Sequence, residues 1–160
     1  MTTTQIKKTI PTDSLLEQDF VLPITQQLYD LAGIPDEHFG LFYRDPIRRF
    51  LSITQHCESS ELITHFNAVI TSLKLRKTLI LPLGADAENS SKSRDVWTYC
   101  IFIGSLMFNS PKLVFRNVVY QYSPNQRYKR WSPFGSFIAS NTEIKTLGEL
   151  NVTNILVTHS

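Results

Sequence analysis

The feature that most restricts this chain is a run of sixteen residues, 96–111, that carries no charge. It reads VWTYCIFIGSLMFNSP, with Val96, Trp97, Cys100, Ile101, Phe102, Ile103, Leu106, Met107 and Phe108 spread around a helix. A helix that spans a bilayer needs ~20 mostly apolar residues, and this run is shorter and holds Asn109, Thr98, Ser105 and Ser110. A helix apolar on nearly every face must be wrapped by neighbours. The expectation is therefore a buried core helix and no membrane partner. The first residues hold Lys7 and Lys8 with no apolar stretch behind them, so no secretory signal is legible. Cys57 and Cys100 lack metal-type spacing and read as reduced thiols, which points to a cytoplasmic location.

The rest of the chain reads mainly as helix. Pro23 suits the first turn of a helix with Ile24, Leu28 and Leu31 inward, and Gly33 and Pro35 stop it. Asp45 and Pro46 form an N-cap and first-turn pair for a helix that buries Ile47, Phe50 and Leu51. The clearest period belongs to Leu62, Ile63, Phe66, Val69, Ile70 and Leu73, a continuous face of a helix from residue 60 to about 79. Residues 85–94 read as an exposed connection or the start of another helix, and Pro111 as the end of the apolar helix. Beyond it, Val118, Val119, Tyr120 and Tyr122, a Ser-Pro-Asn turn, and Tyr128 to Trp131 predict a small hairpin. The expected division is a flexible arm over 1–12, a helical domain over 13–140, and a tail or edge strand over 141–160.

Charge is unevenly placed. Residues 1–95 carry ten basic and twelve acidic side chains, whereas residues 96–142 carry Lys112, Arg116, Arg127, Lys129 and Arg130 and no carboxylate. Basic residues interleaved with Tyr120, Tyr122, Tyr128 and Trp131 can face phosphates and stack bases. The candidate nucleic-acid contacts are Arg116, Arg127, Lys129, Arg130 and Tyr128. The competing reading has a solvated basic loop and a core Trp131.

Catalytic signatures are scarce. There is no glycine-rich phosphate loop, no nucleophile elbow and no cysteine pair at zinc spacing. The only cluster of metal-ligating types is His56, Cys57, Glu58, Glu61 and His65, in which Glu61 and His65 share a helix face. A hydrogen bond from His65 to Glu61 accounts for that pair without a metal.

The segment LPLGADAENSSKSRDVWTYCIFIGSLMFNSPK, residues 81–112, resembles the N-terminal domain of TraI-type conjugative relaxases of the MobH class. There an LPxGA turn and a charged linker precede a helix of the type WTYAxFxAALLHDIGK. Upstream, FYRDPIRRFLSITQ and LITHFNAVITSLKL resemble the family's lead-in helix and its first histidine helix, and downstream WSPFGSF resembles its WxPxxGSL segment. The likeness covers residues 41–137. It implies membership of the HD superfamily: a mainly α, HD-like helical bundle, here with a small β-hairpin appendage, whose metals sit on a first histidine, a His-Asp pair and a later aspartate.

Carried over, the first histidine is His65, and His56 matches a histidine upstream of a glycine pair that falls on Ser60 and Glu61. The His-Asp pair falls on Phe108 and Asn109, neither able to replace the lost ligands, and no Asp follows Asp95. The resemblance thus implies a degenerate metal site at His65, Phe108, Asn109 and His56, with no catalytic residue, no cofactor, and Phe108 filling the emptied pocket. The expected function is a catalytically inactive relaxase-like domain of a conjugative or integrative mobile element, a DNA-binding or scaffold module with DNA and other conjugation proteins as partners. Two alternatives stay open: a metal-dependent phosphodiesterase or nickase with an atypical ligand set, and a structural protein–protein interaction module.

Overall fold

The computed structural model describes residues 4–84, 86–115, 117–123, 127–134, 138 and 141–147. The described chain is mainly helical, with one small antiparallel sheet of four strands. No helix among the described residues is long and apolar enough to cross a membrane.

Helix α1 (Val21–Ala32) turns Val21, Ile24, Leu28 and Ala32 inward and ends at Gly33, whose φ of 64° and N–H bond to the Tyr29 carbonyl make a left-handed cap. Only glycine takes that conformation without a Cβ penalty. Next, α2 (Asp36–Phe39), a π-type turn (Gly40–Arg44) and α3 (Asp45–Ile53) run on as one helical stretch. Asp45 is therefore not a free N-cap. Its carboxylate accepts from Arg48 Nη2 at 2.5 Å and Arg49 Nε at 2.6 Å. Pro46 has no N–H to give, and the widened turn lies just ahead of it, where a regular ladder would be interrupted.

Helix α4 (Ser59–Lys77) follows its sequence period and buries Leu62, His65, Phe66, Val69, Ile70, Leu73 and Arg76. Helix α5 (Ala87–Phe108) begins well before the apolar run, because the Asp86 carboxylate caps it by accepting from the Asn89 N–H at 2.8 Å. Only Thr98, Phe102 and Leu106 of α5 are buried. The expected wrapping is corrected here: Val96, Met107 and Phe108 are 63%, 54% and 80% exposed. Helices α4 and α1 cover one side of α5, and the small domain leaves the opposite side open to solvent. Pro111 does not end the helical path either. It sits in the first turn of α6 (Ser110–Phe115), where a missing N–H costs nothing.

The sheet consists of β1 (Thr4–Lys8), β2 (Val118–Ser123), β3 (Arg127–Arg130) and β4 (Glu143–Leu147) in the order β1-β4-β2-β3. The predicted hairpin is present as β2 and β3. Within the expected arm, Thr4–Lys8 form a strand, and β4 lies between β1 and β2, while residues 148–160 of the expected tail or edge strand lie outside the described residues. One side of the sheet buries Val119, Ile144 and Thr146, and a small second core gathers Val114, Trp131 and Ile138 with Ile53 packed on it. Gln55 Oε1 accepts from the Ile10 N–H at 2.7 Å, and Lys7 Nζ donates to the Cys57 carbonyl at 3.4 Å, so the sheet is tied to the corner between α3 and α4.

Candidate functional site

The corner between α3 and α4 holds His56, and α4 carries His65. His65, 7% exposed, lies on the inner face of α4 and stacks on Phe50 of α3 at 4.9 Å and 13°. Its Nε2 is 2.9 Å from the carbonyl oxygen of Leu106. Leu106 belongs to the last turn of α5, where carbonyls lack intrahelical partners, so the imidazole Nε2–H caps an orphan acceptor. Glu61 is not its partner: the Glu61 carboxylate accepts from the Glu58 N–H at 3.2 Å and caps the start of α4.

His56, 3% exposed, makes the same kind of contact with α6. Its Nε2 is 3.1 Å from the Leu113 carbonyl of α6, to which Cys57 Sγ also donates at 3.5 Å. Its Nδ1 is buried without a well-formed hydrogen bond. Burial holds both imidazoles below the usual histidine value. The carbonyl bonds oppose this at both, and at His56 the charge of Lys7 adds to the lowering while Glu61 opposes it. Both rings are therefore neutral donors that clamp the chain on either side of Asn109.

His65 and Asn109 do border one open depression of about 410 Å³, together with Glu61, Thr64 and Lys112. Phe108 does not fill it. At 80% exposed it points to solvent, which corrects the expectation of an aromatic plug. His56 is not in the depression either. Among the described residues no group of three or more His, Cys, Asp or Glu side chains could hold a metal ion. The side chains bordering the depression therefore do not fit the ion that the family resemblance implies.

The second arrangement is the outer side of the sheet. In antiparallel pairing, directly opposed residues share a face. One row across the strands is Ile6, Lys145, Tyr120 and Arg130, and beside it Lys8 faces Glu143 and Tyr122 faces Tyr128. Tyr122 and Tyr128 are 37% and 39% exposed and meet edge to face at 5.7 Å. Lys145 Nζ lies 5.9 Å from the Tyr128 ring centre. The Tyr128 hydroxyl donates a close hydrogen bond to Glu143 Oε1, and that bond raises the phenol's pKa. With strands ~4.8 Å apart, the row across all the strands spans about 14 Å. Three tyrosines and three cations against one carboxylate thus occupy a single platform.

Of the candidates read from sequence, the fold brings together Tyr128 and Arg130. Lys129 pairs with Gln121 in the alternate row and belongs to the other side of the sheet. Arg127 pairs with Ser123, and its side chain lies outside the described residues, as does the whole of Arg116. Trp131 is buried beside His56, with ring centres 6.1 Å apart, and is not a stacking surface. Sequence reasoning missed Lys8 and Lys145. The polar alternation in TQIKK and EIKTL was the available signal, and it is weak in strands of five residues.

Comparison of the chain with protein-family models, with curated proteins and with solved structures returns no match.

Proposed function

We propose that this chain is a catalytically inert, relaxase-like helical domain of the HD type whose sheet binds single-stranded DNA, as a binding or scaffold module in the DNA transfer of a conjugative or integrative element. The observation that carries the reading is the outer sheet face, with Tyr120, Tyr122 and Tyr128 set among Lys8, Lys145 and Arg130. Four-stranded antiparallel sheets with exposed aromatic side chains hold single strands by stacking, while cations hold the phosphates. Inertness rests on residue chemistry: His65 and His56 use their Nε2 atoms on backbone carbonyls, and Phe108 and Asn109 stand where the family has its His-Asp pair.

Fluorescence anisotropy with a labelled oligonucleotide tests this. Three phosphate contacts give log K against log salt a slope of about −2 for a single strand. Tyr122→Ala together with Tyr128→Ala removes up to two stacks, each worth ~1–3 kcal/mol. Absence of binding at low ionic strength, or equal binding by the double variant, refutes the reading.

The exposed apolar side of α5, with Val96, Met107 and Phe108, favours a second reading as a protein–protein interaction module. Light scattering on purified protein separates the two: a dimer that dissociates on Met107→Glu and Phe108→Glu, with no DNA affinity, would select it.

A further inference from the structure

We propose that the cleft at the end of the β2–β3 hairpin is a subsite for one unstacked nucleobase of the strand that crosses the sheet, an inference that rests on the single-strand reading above. The cleft measures about 340 Å³, and its walls include Phe115, Asn117, Val118, Arg130, Trp131 and Phe134. That volume falls within the ~300–1,000 Å³ of sites that enclose small organic groups. Phe115 and Phe134 are its two phenyl rings. Their ring centres are 5.5 Å apart at an interplanar angle of 31°, and they are 47% and 87% exposed.

Two large phenyl rings held out into water on neighbouring segments gain from a flat apolar partner, and a nucleobase offers one whatever its identity. The cleft is continuous with the platform. Arg130 forms part of its wall and also stands beside Tyr120 in the outer row, and Val118 opens the same strand. A strand laid over Tyr122 and Tyr128 and then Tyr120 arrives at the cleft, with the Arg130 guanidinium placed for the phosphate between the last two bases. Asn117 and Ser132 supply the donors and acceptors that a base edge requires. Among the described residues, none lining the cleft is acidic, as the approach of a polyanion demands.

The test is Phe134→Ala in the full chain. Phe134 is mostly solvated, so its truncation leaves the core untouched. Binding of a short labelled strand is measured for wild type and variant over a salt series, with a single abasic position moved along the strand. The expected result is a loss of about tenfold in affinity from Phe134→Ala, in the range of one base–aromatic stack, with an unchanged salt slope because no charge is lost. One abasic position should weaken wild type by a similar factor and leave Phe134→Ala unaffected, the signature of coupled partners. Salt-dependent binding by wild type that Phe134→Ala reproduces overturns the subsite alone. No binding by wild type overturns the platform reading and the subsite with it.

Discussion

Lowering the pH from 7.5 through 5.5 should destabilise this protein through His56 and His65. Both imidazoles are buried, and burial holds their folded-state values below the 6.5 of an exposed histidine. Between the folded and unfolded values the unfolded chain binds more protons, so stability is fully present above pH 6.5 and falls as the pH drops below it. The limiting slope is about 1.4 kcal/mol per pH unit for each histidine, and it applies between that group's folded and unfolded values. Asp45 does not confuse the measurement. Its carboxyl is held below 3.8, chiefly by the hydrogen bonds from Arg48 and Arg49, so its contribution fades only in a more acidic window. Urea unfolding at a series of pH values reads the slope directly. His65→Phe keeps a ring on Phe50 but gives up the bond to the Leu106 carbonyl, and should cost about 1–2 kcal/mol at pH 7.5. Its dependence on pH should be shallower by one histidine's share. Stability that is flat from pH 6.5 to 5, or a His65→Phe profile parallel to wild type, would refute the neutral-clamp account.

Arg76 is buried and donates to the Leu79 and Arg94 carbonyls, each at 3.2 Å, so Arg76→Ala should cost about 2–3 kcal/mol in urea unfolding, and Arg76→Lys, without the planar fork, should recover little of it. Glu143 is the one carboxylate among the described residues of the outer sheet rows; Glu143→Gln should strengthen single-strand binding about two- to fivefold by anisotropy, the size of one exposed charge. Cys100 is exposed and Cys57 buried, so brief treatment of the native protein with a maleimide should give a single adduct by mass spectrometry, located on Cys100.

What could be read in advance divides along the range of the interactions involved. Helix α4 was legible because Leu62, Phe66, Val69, Ile70 and Leu73 repeat locally, and the β2–β3 hairpin because its β-branched and aromatic residues flank a turn. β1 and β4 were not, since each is five residues long and the pairing of Lys8 with Glu143 or Ile6 with Lys145 joins opposite ends of the chain. Two of the outer platform's three cations, Lys8 and Lys145, come from those two strands and lie outside the basic segment at residues 96–142. Helix α5 shows the opposite failure. Its composition was read correctly as apolar, but the covering of an apolar helix depends on how many neighbours the domain can supply, and Val96, Met107 and Phe108 stay mostly exposed.

The histidines carry the sharpest lesson in physical terms. A metal ligand set announces itself through several side chains of matched chemistry, whereas a histidine that caps a helix end takes a backbone carbonyl, which every residue possesses, as its partner. Nothing in the letters at Leu106 or Leu113 marks them as acceptors. Yet the two bonds, His65 to Leu106 and His56 to Leu113, fasten α5 and α6 to the body on both sides of Asn109. That arrangement holds α6 in place and, just beyond it, Val118, where the outer sheet face begins. The side chains that resemble a remnant of chemistry thereby position the surface proposed to bind the strand. A histidine clamp of this kind predicts that His65→Phe weakens stability while leaving the salt slope of DNA binding unchanged, since no phosphate contact is altered.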